Sequence, residues 1–208
     1  MSSVPQFVVF EGLDGSGTST QAALLEREWL RQGRLCMGTA EPSSGPVGNM
    51  IRQAMKGRVL FQANPEGFDR QMAYLFAADR FDHLHNDVDG ILPMMAKGFS
   101  VISTRYYFSS FAYHCTDESH WQLVARLNAD FPKPDLLVYL RNPVDESIRR
   151  LDKRPVRDSY EHADKLTIVA QNFERILAEY TGNKLALDAT LPPEGIHASI
   201  LDRLQALT

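Results

Sequence analysis

Residues 7–21, Phe-Val-Val-Phe-Glu-Gly-Leu-Asp-Gly-Ser-Gly-Thr-Ser-Thr-Gln, run from an apolar, buried-type strand through a glycine-rich turn into the start of a helix. The template Gly-x-x-x-x-Gly-Lys-Ser/Thr maps onto Gly12, Gly17, Thr18 and Ser19, so this is a phosphate-binding loop in which threonine stands at the lysine position. Gly15 and Gly17 allow positive φ and close backbone approach, and a helix beginning near Thr18 offers unpaired N–H groups and a positive dipole end to an anion. Gly12, Asp14, Gly15, Ser16, Gly17, Thr18, Ser19 and Thr20 are therefore the expected cradle for a nucleotide polyphosphate, with the Ser19 hydroxyl facing Mg²⁺. Glycine-rich strand-to-helix turns also occur as plain connections, so the rest of the chain has to carry the reading further.

The chain has 208 residues, 44% of them hydrophobic, enough for one substantial core and short for two. A formal net charge of −4 argues against a general nucleic-acid coat, although the cluster Arg149, Arg150, Lys153, Arg154 and Arg157 can collect phosphate locally. A small anion is the expected partner, with neither nucleic acid nor membrane. Cys36 and Cys115 are too few for a disulfide framework, and no long apolar span or signal segment is evident. A reduced, cytoplasmic protein is expected.

Short apolar runs alternate with amphipathic stretches in the βαβ manner. Strands are expected at Gln6–Phe10, Leu35–Thr39, Phe99–Ser103, Asp135–Leu140 and Lys184–Leu187. Helices are expected at Thr18–Arg31, Val47–Lys56, Phe68–Asp87, Asp117–Asp130, Val144–Leu151, Glu161–Tyr180 and Pro193–Leu207. Five short strands with crossovers imply an α/β fold, a parallel five-stranded sheet flanked by helices in three layers. Ligands of such sheets bind beyond the carboxyl ends of the strands, which directs attention to 11–19, 41–48, 104–113 and 141–143.

Several separated motifs together resemble the thymidylate kinase family of P-loop nucleoside monophosphate kinases. They are Phe-Glu-Gly-Leu-Asp-Gly-Ser-Gly at 10–17, Glu-Pro-Ser-Ser-Gly-Pro-Val-Gly at 41–48 with Ile51-Arg52, and Leu-Phe-Ala-Ala-Asp-Arg at 75–80. Arg-Tyr-Tyr-Phe-Ser-Ser-Phe-Ala-Tyr at 105–113 and Pro-Asp-Leu-Leu-Val-Tyr-Leu at 134–140 complete the set, in the family's order along most of the chain. The resemblance implies a single domain over 1–208 with a mobile lid near 152–161, ATP as phosphoryl donor, Mg²⁺, dTMP as acceptor, and a homodimer.

Phe76 and Arg80 stand four apart, which on a helix sets an aromatic face beside a five-donor guanidinium, able to stack on a base and donate to a carbonyl. The resemblance gives them the thymine ring and its O4. It assigns Arg52 and Arg105 to the dTMP phosphate, where paired arginines would give charge-assisted, bidentate bonds and hold the acceptor oxygen in line. Ser109 and Tyr113, four and eight residues past Arg105, share a helical face near base and sugar. Ser110 is expected near the base edge, Glu41 and Pro42 belong to the same substrate set, and His114 stands where the family often has glutamine. By the same resemblance Asp14 reaches the sugar 3′-hydroxyl and the phosphate-holding arginine, and Arg154 and Arg157 sit where the lid belongs, candidates for bridging the transferred phosphoryl group.

Departures from the family pattern cluster at one place. Lysine is Thr18, the usual Asp before Arg105 is Thr104, and the usual Asp after the fourth strand is Arg141. Losing a cation, losing an anion and turning another anion into a cation reads as coupled, so Arg141 is expected to act as the displaced cation on the donor phosphates. The alternatives are a catalytically impaired nucleotide-binding protein, or another nucleoside or nucleoside monophosphate kinase on the same scaffold.

Overall fold

The computed structural model describes residues 4–59, 64–152 and 163–207. Strands β1 (Phe7–Gly12), β2 (Cys36–Ala40), β3 (Ser100–Thr104), β4 (Leu136–Arg141) and β5 (Lys184–Asp188) form one sheet in the order β2-β3-β1-β4-β5, with every pairing parallel. β1 is buried at all its positions, which is why the stretch 7–10 runs continuously apolar rather than alternating. Successive side chains still point to opposite faces. Phe7, Val9, Leu137 and Tyr139 enter one buried cluster, while Val8, Phe10, Leu136 and Val138 enter the other.

The helices are α1 (Thr18–Arg31), α2 (Pro46–Met55), α3 (Pro65–His85), α4 (Ile91–Ala96), α5 (Tyr107–His114), α6 (Glu118–Leu127), α7 (Val144–Leu151), α8 (Ala163–Glu179) and α9 (Pro193–Gln205). Leu25 and Trp29 of α1 and Ile196 and Ile200 of α9 cover the Val8/Phe10 face. Helices α5 and α8 cover the other, through Phe108, Ala112, Val169 and Phe173. Three layers result, as the alternation of strand and helix patterns implies.

All five expected strands are present, with ends shifted by at most two residues. The Pro-Asp-Leu start of β4 has a specific purpose: the Phe7 N–H donates to Asp135 Oδ2 at 2.7 Å, setting the register of the two central strands. Helix α3 begins earlier than its apolar pattern, because Asn64 accepts the Gly67 N–H at 2.6 Å and Pro65 supplies a favoured first residue. Two helices, α4 and α5, are absent from the helical segments expected above. α4 has six residues with Pro93 among them. α5 reads Tyr-Phe-Ser-Ser-Phe-Ala-Tyr-His, poor in strong helix formers, and its amide cap comes from a residue of β1. The expected lid lies, beyond Asp152, outside the described residues, and so do Arg154 and Arg157.

From β1 the chain passes to β2 and β3 on one side and later to β4 and β5 on the other. The crevice at the carboxyl end of β1 is thus the switch point of the sheet, and the glycine-rich loop emerges there.

Candidate active site

The loop leaves β1 at Gly12, where an added Cβ would stand 2.5 Å from Ser16 Oγ and 2.7 Å from the Leu140 carbonyl oxygen, so glycine alone fits. Gly17, at φ 95°, turns the chain into α1 and provides no capping side chain. The first-turn N–H groups are therefore left for an external acceptor. Ser16 Oγ is buried and has no hydrogen-bond partner among the described residues. Ser19 and Thr20 stand exposed at the loop mouth, while Thr18 is buried.

Among the described residues, Arg105 and Arg150 bring guanidinium groups to this loop. Arg150, from α7, donates from Nη1 to the Gly15 carbonyl at 3.0 Å and from Nη2 to the Ala189 carbonyl at 3.3 Å, with Nε held by Glu146 at 2.6 Å. Together with Ser16, Gly17, Thr20 and the stretch 190–193 it lines a cavity of about 390 Å³. Arg141 goes elsewhere, which corrects its expected place on the donor phosphates. Its Nε and Nη2 make a two-pronged pair with Glu174 of α8 at 2.8 and 2.7 Å, half exposed, and it does not line the cavity at the loop. A carboxylate with matching fork geometry captures the guanidinium on the outside of the sheet.

A second cavity, of about 210 Å³, opens on the other side of the loop. Its walls are Asp14 from the loop, Glu41 and Pro42 after β2, Phe76 from α3, Arg105 after β3, and Ser109, Ser110, Tyr113 and His114 of α5. Arg105 is the joint between loop and cavity. Its Nη1 donates to the Gly12 carbonyl, its Nη2 to Asp14 Oδ1 at 2.8 Å, and Asp14 Oδ2 accepts the Tyr113 hydroxyl at 2.9 Å. The backbone of Arg105 has φ 76°, a left-handed value that a non-glycine residue holds only when its surroundings fix it. Burial works against its charge, but Tyr113, Asp14 and Glu11 more than offset this and keep the guanidinium protonated.

Arg80 is placed differently from Phe76. Phe76 lines the cavity with its ring 5.3 Å from that of His114. Arg80 lies behind the wall with no exposed surface, bonded to Glu41 Oε2 at 2.6 Å, to Ser110 Oγ at 3.1 Å and to Asn128 Oδ1. Its donors reach the cavity through Glu41 and Ser110, which do line it. Arg52 likewise stays out of the lining and donates to the carbonyl oxygens of Pro42 and Ser43, holding the loop between β2 and α2. Asp79 secures the same loop by accepting the Ser43 N–H and hydroxyl at 2.7 and 2.6 Å.

A family model described as thymidylate kinase matches residues 10–200. A putative thymidylate kinase of Treponema pallidum is 33% identical over 211 residues, covering 99% of this chain and 97% of that protein. Probable thymidylate kinases of Pyrococcus horikoshii and Pyrobaculum aerophilum are 32% and 35% identical, with at least 93% of either sequence covered. The chain belongs to the thymidylate kinase family.

Within that family frame, some residues of the site carry no role in the sequence reading. Met55 closes the cavity beside Pro42. Glu11 lies beneath α5, wholly buried, where burial outweighs Arg105 and the hydrogen bonds and pushes its carboxyl up to about 7. Its signal in the sequence is slight, an acid closing an otherwise apolar strand. His114, also buried, is driven down to about 3 by burial and by the nearby Lys165 and Arg80, so its imidazole is neutral at physiological pH. Thr104, at the position of the family's aspartate, offers its hydroxyl to the Thr39 carbonyl at 3.4 Å, an edge-strand contact in place of a charge.

Proposed function

We infer that this chain transfers the terminal phosphoryl group of ATP to dTMP, giving ADP and dTDP. Arg105 carries the reading, because its fork bonds the phosphate-binding loop at Gly12 and Asp14 and also lines the adjoining cavity. A monophosphate held by that guanidinium lies beside the donor loop. In the cavity the base lies against Phe76 and the neutral His114, Ser110 faces its edge, and Tyr113 and Asp14 flank the sugar. The donor side is the Ser16–Thr20 cradle, with adenine against the stretch 190–193.

The acceptor is already an ionised phosphate oxygen, so no base has to generate a nucleophile. The chain's own work is alignment, neutralisation by arginines and exclusion of water. The residues present suit Mg²⁺ carried in on phosphates: Ser19 offers one hydroxyl, and no cluster of His, Cys, Asp and Glu side chains suited to a metal occurs among the described residues. Held on that side by Ser19, the ion would supply positive charge that neutralises the donor phosphates. Exposed Met50, Tyr74 and Phe81 on α2 and α3 support a homodimer through those helices, checkable by sedimentation.

A coupled assay of ADP release with dTMP, dUMP, dGMP and thymidine as acceptors tests the reading. Turnover is expected with dTMP, and its absence with dTMP would sink the proposal. Phe76→Ala should weaken dTMP binding by roughly 1–3 kcal/mol, the scale of aromatic–base stacking, as read by calorimetric titration. An unchanged Kd would take the base off that ring.

The missing lysine gives a paired prediction. Arg141→Ala loses an exposed ion pair, and the expected change in kcat is within about fivefold, since such pairs contribute only ~0.2–1 kcal/mol. Arg150→Ala should cost the ATP step about 1.5–3 kcal/mol, the usual loss for a hydrogen bond to a charged group, because it withdraws a cation seated on the loop. Steady-state kinetics on the two variants decide between them, and the reverse ranking would return the compensating role to Arg141.

A further inference from the structure

Glu11 is the one acid of β1, and the acceptor chemistry above leaves it without a task. Its Oε1 accepts the N–H groups of Tyr106 and Ser109 at 2.9 and 3.1 Å, at the start of α5, and its Oε2 accepts the Ser109 hydroxyl at 2.7 Å. Among the described residues its ion-pair partner is Arg105, whose Nη1 stands 3.6 Å away. Ser109 and Arg105 line the acceptor cavity, and Glu11 sits directly behind both. A carboxylate in that place competes with any incoming anion for the same guanidinium.

We propose that Glu11 is a positioning residue that takes up a proton as the dTMP dianion binds, and that the new O–H on Oε2 donates to Ser109 Oγ, freeing the Ser109 hydroxyl hydrogen to point into the cavity at the substrate. The inference rests on the assignment of Arg105 to the acceptor phosphate. Once the dianion engages Arg105, Glu11 loses its counter-charge and gains a negative neighbour while remaining buried, and both effects favour its neutral form. The proton comes from solvent, and no other bond changes. The two backbone N–H bonds to Oε1 survive, because a neutral carboxyl still accepts there, and the Oε2–Ser109 bond reverses because a hydroxyl both gives and receives.

The carboxyl is already pushed up to about 7 by burial in the free protein, so its ionised form is poised to be lost. The other groups facing it are Arg105 and Asp14, Tyr107 and Tyr113 of α5, and Tyr139 of β4. Burial holds the three phenols above their usual range, so they stay neutral across the interval tested, and Arg105 stays charged. Asp14 shares Arg105 but bonds Tyr113 rather than Ser109.

The test is calorimetric titration of the full chain with dTMP in buffers of different ionisation enthalpy. At pH 7.5 a carboxyl of pKa about 7 is roughly three-quarters ionised, so a net uptake of about 0.7 proton per dTMP is expected. A phosphate ester with a second pKa of about 6 could release only a few hundredths of a proton there, in the opposite direction. Between pH 7.5 and 8.5 the dTMP Kd should weaken about five- to eightfold. Glu11→Gln presents an amide N–H to Ser109 as the protonated acid would, so it should bind without uptake, with a Kd that stays level over that interval and is the tighter of the two at pH 8.5. Normal binding by the wild type with no net uptake overturns the inference, as does equal uptake in Glu11→Gln. Arg105→Ala separates the two levels. If it loses dTMP while the wild type takes up no proton, this inference alone fails; if it binds dTMP as the wild type does, the site assignment fails and takes the inference with it.

Discussion

Arg105→Ala is expected to raise the dTMP KM by about 30-fold or more, since truncating one partner of a buried, hydrogen-bonded charge pair costs about 2–5 kcal/mol. The expectation follows from what the substitution leaves behind. Asp14, now 2.8 Å from the guanidinium, would face the acceptor phosphate with no cation between them, while Glu11, 3.6 Å from the same group, would be left buried without its counter-charge. Loss of attraction and gain of repulsion act in the same direction. The ATP KM should change far less, because the proposed donor cradle rests on the backbone at the start of α1 and on Arg150. Arg105→Lys is the informative companion: it keeps the charge at φ 76° but lacks the planar fork whose two nitrogens bond Gly12 and Asp14 separately. It should recover part of the affinity and little of the in-line alignment, so kcat stays low when KM improves. Steady-state kinetics with both substrates varied would read this, and an Arg105→Ala enzyme with wild-type KM for dTMP would remove Arg105 from the acceptor site.

The loop and the sheet were legible because local chemistry dictates them. Gly12 and Gly17 have no alternative at a strand-to-helix turn this tight, and apolar runs such as Phe-Val-Val-Phe have only a buried strand to occupy. Phe76, Ser109, Ser110 and Tyr113 line one cavity, as their spacing along two helices allows. What the sequence could not reveal is the competition among charges. Arg141 has the right position at the end of β4 for a loop cation, yet Glu174, 33 residues later, takes its fork. Arg80 has the right spacing from Phe76, yet Glu41, 39 residues earlier, takes that one. Partner choice between distant ionic groups is decided by the assembled fold and leaves no periodic trace. The start of α5 is the same lesson in backbone terms, since the acid that receives its amides is 95 residues upstream of Tyr106.

Arg80→Met is expected to destabilise the fold by about 3–5 kcal/mol, the usual cost of removing one partner from a buried ion pair. Arg80 has no exposed surface and Glu41 is 5% exposed, so the carboxylate left behind would have neither its cation nor water. His83, whose Nδ1 lies 3.5 Å from Glu41 Oε1, is too far to replace a bond of 2.6 Å. For a chain of this size the loss should appear as a fall in Tm of about 6–20 °C. Glu41→Gln in the same background removes the stranded charge while keeping the shape, and should restore a large part of the loss. Substrate binding should not return with it, because Glu41 and Ser110, the two groups Arg80 orients, form a wall of the cavity proposed for the acceptor. Denaturant melts and dTMP titrations on the wild type, both single variants and the double variant therefore separate two roles that a single substitution would confuse. If Arg80→Met melted with the wild type and lost only dTMP, the guanidinium would be a direct base contact rather than the ionic support behind the wall.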